Sequence, residues 1–254
     1  MPLLETKEVT KKFFEFVAVD HVDLKVDKGE LVGLIGPNGA GKTTLFNCIS
    51  GFYKPDGGKI TFKNDDITAL PPHMLAKRGL ARTFQLAQYY PTFTVLETLM
   101  TGLRFRGKER LLAAFFKRPI VMEEEIEFRE RALEILKLVE MEKWQDYRTL
   151  DLSGGQRKIV DFSMSLILEP DLILLDEPTA GVDPILIDKL LNKIRILNKE
   201  QGVAFIVVEH NMKVIMNLCE RIIVLNSGQK IAEGTPKEIQ NNNEVIEVYF
   251  GKGR

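Results

Sequence analysis

The chain has 254 residues, 44% of them hydrophobic, enough for one sizeable domain or a core with an attached lobe. Thirty-five Lys and Arg stand against 36 Asp and Glu, a formal net charge of -1. That balance speaks against a nucleic-acid-binding surface and a polybasic membrane anchor, and 28% charged residues speak against a low-complexity chain. Apolar runs such as Leu31–Ile35 and Leu172–Leu175 fall far short of the ~20 residues that cross a bilayer. The N-terminus carries Glu5 and Glu8 where a signal peptide needs an apolar run. Cys48 and Cys219 are too far apart for a metal or redox motif; they read as buried small apolar residues of a soluble protein from a reducing, cytosolic interior.

In chain order, Val22, Leu24 and Val26 alternate with Asp23 and Lys25, the period of a half-buried strand, and Asp27-Lys28-Gly29-Glu30 turns the chain. Leu31–Ile35 is continuously apolar, as in a parallel strand covered on both faces. Ile60 and Phe62 alternate with Lys59, Thr61 and Lys63 up to the turn Asn64-Asp65-Asp66. Thr94–Leu103 opens on Thr94-Val95-Leu96-Glu97, the pattern of a helix capping box. The stretch Arg104–Pro119, with Arg104, Arg106, Lys108, Arg110, Lys117 and Arg118, reads as a solvated loop with helical pieces. Glu123–Val139 sets Ile126, Ala132, Leu133, Ile135, Leu136 and Val139 along one side of a helix. Leu172–Leu175 and Val203–Val208 repeat the buried-strand pattern. Ile222–Leu225 turns at Asn226-Ser227-Gly228 and returns through Lys230-Ile231-Ala232. The three alternating segments predict an antiparallel sheet with one wet face, the continuous runs an α/β core, and residues 86–170 a helical lobe. No internal repeat is visible.

Strand Leu31–Ile35 runs into Gly36-Pro37-Asn38-Gly39-Ala40-Gly41-Lys42-Thr43, then the helical Thr44–Ile49, which fits G-x-x-x-x-G-K-[ST] in its required context. Glycines let backbone N–H groups converge on phosphates, and the helix N-terminus adds a favourable dipole. Lys42 would reach the β- and γ-phosphates and the Thr43 hydroxyl would sit on Mg²⁺. A second buried strand ends in Asp176-Glu177, where Asp176 can hold Mg²⁺ through water and Glu177 can deprotonate an attacking water. Val203–Val208 is followed by Glu209-His210, and a neutral imidazole there could bond the γ-phosphate or that water. His21 and His73 have no such placement. Leu152-Ser153-Gly154-Gly155-Gln156 precedes the helical run Arg157–Leu168, which Pro170 stops. Ser153 is placed to cap it and Gly154-Gly155 permit close approach, so a second helix N-terminus can grip an anion. One chain with one phosphate loop needs no second grip, so this one suits a nucleotide on another chain.

With these motifs the sequence resembles the ATP-binding subunits of ABC transporters over nearly all its length. The resemblance implies an α/β P-loop NTPase fold with a mixed sheet core, an antiparallel β subdomain and a helical subdomain. It makes 1–254 a single nucleotide-binding domain, with 1–85 and 171–254 as the ATP-binding core and 86–170 as the helical signature subdomain. In that family two such domains close head to tail around two ATP molecules, each lying between one subunit's phosphate loop, here Gly36–Thr44, and the other's LSGGQ. By the same resemblance Gln85, in Arg82-Thr83-Phe84-Gln85, senses Mg²⁺ and the attacking water, Glu177 is the general base and His210 the switch histidine. Ala180-Gly181-Val182-Asp183 is the loop that crosses the dimer interface. The family has an aromatic followed by glycine near the first strand, where this chain reads Lys12-Phe13-Phe14-Glu15-Phe16; Phe13 is the expected adenine stack, Phe14 and Phe16 core packing.

Within the family, Arg82-Thr83-Phe84-Gln85, the long insertion after Thr101-Gly102-Leu103, Glu209-His210-Asn211-Met212-Lys213 and the ending Val248-Tyr249-Phe250-Gly251 look like the branched-chain amino acid importers. Ala180-Gly181-Val182-Asp183-Pro184 and Cys219-Glu220-Arg221 also resemble the lipopolysaccharide-export ATPase, which usually lacks that insertion; urea and amide importers share most of these features. Soluble ABC ATPases of DNA repair or translation remain the alternative of another class, but no long heptad insertion or second domain is present. The resemblance implies ATP and Mg²⁺, a second ATP-binding subunit (identical or paralogous), transmembrane permease subunits and, indirectly, an external binding protein. It implies a cytoplasmic protein held on the inner face of the membrane by the permease. Leu86, Tyr89, Tyr90 and Phe93 are either contacts for a permease helix, since aromatics are enriched in interface cores, or side chains buried inside the lobe itself.

Overall fold

The computed structural model describes residues 1–83, 92–104 and 118–250; the side chains of 103, 104, 118–124 and 250 lie outside that description. The first sheet is antiparallel, in the order β2-β1-β4-β5. It is built from β1 (Leu4–Phe13), β2 (Phe16–Val26), β4 (Gly57–Phe62) and β5 (Asp65–Asp66). The expected alternations hold: Val22, Leu24, Val26, Ile60 and Phe62 are buried while Asp23 and Lys25 face solvent. β1, rich in lysine and threonine, carries no clean apolar period, yet it is the central partner, pairing Leu4 with both Val26 and Phe62. Its buried Thr6 hydroxyl donates to Val22 O at 3.0 Å, so the polar group brings its own partner into the core.

The second sheet has six strands in the order β10-β9-β3-β8-β7-β6. β3 (Leu31–Ile35), β6 (Leu80–Arg82), β7 (Leu172–Asp176), β8 (Ala204–Val208) and β9 (Arg221–Asn226) run parallel, and β10 (Gln229–Gly234) returns antiparallel to β9. Here the sequence reading needs correction: Ile222–Leu225 belongs to this sheet, beside β3, and not to the antiparallel one. Its four apolar residues in succession are all fully buried, the mark of a strand covered on both faces.

Alternation within these strands divides the interior into two cores. Leu31, Ile35, Ile173, Leu175, Phe205, Val207, Ile222 and Val224 face one cluster with the helices. Val32, Leu34, Leu172, Leu174, Ile206, Val208, Ile223 and Leu225 face the other, which holds the antiparallel sheet and α1 (Lys42–Ile49). Cys48 and Cys219 are free and buried, one in each core, and burial pushes their thiols up to about 11 and about 12.

α2 (Pro72–Lys77) adds Leu75 to the second core, while α3 (Val95–Arg104), α4 (Arg118–Leu138) and α5 (Gly154–Leu166) make up the helical side. The box at Thr94 is formed: Glu97 N–H donates to Thr94 Oγ1 at 3.1 Å and Thr94 N–H to Glu97 Oε2 at 2.8 Å. Val95, Leu99, Ala132, Ile135 and Leu136 pack as expected, but Ile126 is exposed, so the buried stripe is narrower than the sequence reading drew it. The chain closes through α6 (Pro184–Gln201), α7 (Met212–Leu218), α8 (Pro236–Gln240) and α9 (Asn243–Phe250). Among the described residues no helix is long and apolar enough to cross a membrane.

Candidate functional site

The site lies at the carboxyl ends of β3, β7 and β8, where neighbouring parallel strands deliver loops to one edge. β3 leads into Gly36–Thr43, and two of its glycines are required by close backbone approach. A Cβ on Gly36 would stand 2.2 Å from Leu225 O, and one on Gly41, at φ +96°, 2.4 Å from Ala18 O. Gly39, at φ +80°, has nothing near its missing Cβ, and Asn38, Gly39 and Thr43 are exposed. Gly41 begins α1 without any side-chain cap, which leaves the helix's first N–H groups for an anion. Lys42 is only 6% exposed, and its Nζ donates to Gly36 O at 2.7 Å and Pro37 O at 2.9 Å. Burial lowers its pKa, and the Glu177 and Asp176 carboxylates oppose that shift.

β7 ends on Asp176, 2% exposed. Its Oδ2 accepts from the Arg82 guanidinium at 2.9 Å, while Oδ1 is buried with no hydrogen-bond partner among the described residues. A buried carboxylate oxygen left without a hydrogen-bond donor suits a hydrated divalent cation. Among the described residues no three His, Cys, Asp or Glu side chains gather into a metal-binding group. Glu177 follows at φ +48°, a left-handed conformation that costs a non-glycine residue roughly 1–2 kcal/mol. Its Oε1 lies 2.9 Å from Nε2 of His210, so the two residues that sequence placed on separate strand ends meet as a pair.

Glu209, to which the sequence reading gave no role, organises this pair. Buried at 4% exposure, its Oε1 accepts from the N–H and hydroxyl of Thr179, and its Oε2 from the N–H groups of His210 and Asn211. One carboxylate thus ties the loop after Glu177 to the loop bearing His210. A charged residue directly after a continuously apolar strand was the available signal.

Ser153 caps α5 in a reciprocal box: Gln156 N–H donates to Ser153 Oγ at 3.2 Å and Ser153 N–H to Gln156 Oε1 at 2.8 Å. Ser153 and Gly154 are exposed, whereas a Cβ on Gly155 would press on Leu186 at 2.9 Å and Val182 at 3.3 Å. The signature segment therefore packs against the 180–183 loop of its own chain and turns its first residues outward. One helical turn on, Lys158 Nζ donates to Glu177 O at 3.1 Å. Asp183, at the end of that loop, caps α6 by accepting from Ile185 N–H at 2.9 Å.

Phe13 is exposed at 38% and meets Tyr53 edge-on, ring centroids 5.4 Å apart, over a cleft lined by Lys11, Phe52 and Asp56. The expectation for its neighbours fails: Phe14 is 102% and Phe16 65% exposed, so neither is core. Phe13 pairs with Phe16 across a hairpin tip, and Phe14, at φ +54°, takes a left-handed position. Gln85, Leu86, Tyr89 and Tyr90 lie outside the described residues, as does 105–117 of the basic stretch; Phe93 is half-buried.

A phosphate loop, a strand-end carboxylate pair and an outward-facing capped helix start on a mixed sheet define an ATP-binding cassette. The ABC transporter family profile matches residues 19–180, and that of branched-chain amino acid ATP-binding cassette transporters residues 229–254. The chain is 37% identical over 251 residues to the high-affinity branched-chain amino acid transport ATP-binding protein BraF of Pseudomonas aeruginosa, covering 99% of this chain and 98% of the relative. A solved nucleotide-free ATP-binding cassette from an ABC transporter superposes with TM-score 0.87 at 38% identity, over 99% of this chain and 100% of that one. A dimeric cassette in a post-hydrolysis state, bound to ADP and Pi, superposes with TM-score 0.78 at 31% identity, over 92% and 98%. This chain belongs to the ABC transporter family, as an ATP-binding, ATP-hydrolysing subunit.

Glu209→Gln places an NH₂ group against donors and should destabilise the fold by about 1–3 kcal/mol. Thermal unfolding measures it, and a Tm equal to wild type contradicts the clamp.

Proposed function

We propose that this subunit powers an importer of branched-chain amino acids, and that it does so in a pair of cassettes enclosing ATP between them. The observation that carries the reading is the convergence of Lys42, Asp176, Glu177 and His210 on one sheet edge, while Ser153 and Gly154 of the same chain face outward. The backbone N–H groups of Gly36, Pro37's neighbour Asn38, Gly39, Ala40, Gly41, Lys42, Thr43 and Thr44 would cradle the phosphates at the start of α1. The Lys42 ammonium would exchange Gly36 O and Pro37 O for β- and γ-phosphate oxygens. Phe13, beside Tyr53, would carry the adenine.

Thr43, Asp176 through Oδ1, and Gln85 would hold Mg²⁺, which neutralises phosphate charge when bound. Glu177 acts as general base: its carboxylate takes a proton from the water attacking the γ-phosphorus, whose bond to the β–γ bridging oxygen breaks to give ADP and phosphate. His210, held by Glu209 through its backbone and by Glu177 through its ring, orients the water and the γ-phosphate. Ser153, Gly154, Gly155 and Gln156 would close on the nucleotide of the other cassette, identical or paralogous, as the dimeric relative bound to ADP and Pi supports.

Closure and reopening of the pair would move permease subunits in the membrane, with the helical segment as the transmitting lobe. The substrate is chosen by those subunits and an external binding protein; branched-chain amino acids are supported by the named relative and by the match over residues 229–254. In this reading the chain sits on the cytoplasmic face of the membrane, held by the permease subunits.

Glu177→Gln should lower turnover by about 10²–10⁴-fold while ATP affinity is retained. A variant that hydrolyses ATP at the wild-type rate contradicts the general-base role. Cells lacking this chain should lose high-affinity uptake of labelled leucine and valine, and unchanged uptake would contradict the substrate.

A further inference from the structure

Arg82 closes β6, three residues before Gln85, and is the most heavily engaged cation near the site. Its side chain is 10% exposed. One guanidinium nitrogen donates to Asn47 Oδ1 at 2.6 Å and Ser50 Oγ at 2.8 Å, and the other to Asp176 Oδ2 at 2.9 Å. The plane lies near the rings of Phe46 and Phe52, 5.7 and 5.6 Å from their centroids. Nε has no hydrogen-bond partner, so the group accepts one unsatisfied donor in order to keep the other contacts.

The arrangement is directional. Asn47 and Ser50 belong to the C-terminal end of α1 and the residue beyond it, the helix whose first turn is the phosphate loop. Thr83, next in sequence, accepts from Asp176 N–H at 3.2 Å and is itself anchored by donating its backbone N–H to Leu174 O at 3.0 Å. Asp176 is therefore gripped at its backbone and at Oδ2, and Oδ1 has no hydrogen-bond partner among the described residues. A carboxyl held by one oxygen cannot turn about its terminal torsion without breaking an ion pair in a buried setting, which is costly. The planar fork makes this possible; a lysine ammonium is a point charge and cannot span the same three acceptors at these angles.

We propose that Arg82 is a positioning residue that holds Asp176 with Oδ1 presented to magnesium and sets that carboxylate at a fixed place relative to the phosphate-loop helix. The proposal rests on the reading of Asp176 as a magnesium ligand. It concerns metal-dependent nucleotide binding and is independent of turnover.

The test is calorimetric titration with a non-hydrolysable ATP analogue, in magnesium and in EDTA, of wild type, Arg82→Lys, Asn47→Ala and Asp176→Asn. Magnesium should tighten binding to wild type. Arg82→Lys should lose about tenfold of that tightening with its EDTA affinity unchanged. Asn47→Ala, which keeps the ion pair and removes one anchor on α1, should lose less, in the same direction. Asp176→Asn should lose the tightening as well. If Asp176→Asn loses it while Arg82→Lys and Asn47→Ala keep it, the role of Arg82 is overturned and the magnesium reading stands. If Asp176→Asn keeps it, Asp176 is no magnesium ligand and both readings fall. Equal weakening with and without magnesium in Arg82→Lys overturns the proposal too, because Arg82 would then merely support the phosphate loop.

Discussion

A buried ammonium sets the terms for the rest of this molecule. Lys42 is withdrawn from water and bonded to two backbone carbonyls, and burial alone would drive it toward neutrality. Two carboxylates at the end of a nearby strand oppose that tendency, because β7 delivers Asp176 and Glu177 to the sheet edge from which the loop after β3 departs. β8 lies between β3 and β7 and brings Glu209 and His210 to the same edge. The parallel register, the two cores that hold it flat-sided, and the glycines that let the loop pass Leu225 O and Ala18 O all serve this one proximity. The site is thus a charge cluster whose members are spread across the chain and are mutually dependent.

Around it the structure joins parts that belong to different tasks. Lys158, on the helix that Ser153 caps, holds the carbonyl of Glu177. Glu209 holds the loop after Glu177 together with the loop of His210. Arg82 holds the helix of the phosphate loop together with Asp176. Each is a short polar link between elements that lie far apart in the chain and meet at the site. Since Ser153 and Gly154 are exposed while Lys158 bonds the backbone of Glu177, one helix connects an outward surface with the strand end that bears the carboxylates.

Local patterns were legible in the sequence and distant ones were not. The phosphate loop, the carboxylate pair and the Ser153 cap are decided by neighbours in the chain, and they stand where the motifs put them. Ile222–Leu225 was assigned to the wrong sheet because a short apolar run does not say which strand it will lie against. β1 was passed over because its burial comes from partners on both sides and not from its own polar composition. Hydrophobicity alone puts Phe14 and Phe16 in the core, whereas the hairpin tip carries them into solvent. The bond between Arg82 and Asp176 joins residues 94 positions apart, and no spacing rule reaches that far.

The central claim is that ATP is shared between two chains, and sedimentation with and without ATP tests it most directly, using Glu177→Gln alone and combined with Ser153→Arg. The account predicts an ATP-dependent dimer for Glu177→Gln, and a monomer with undiminished ATP affinity once arginine replaces Ser153. A dimer that survives Ser153→Arg, or a monomer that loses ATP binding through it, would contradict the shared site.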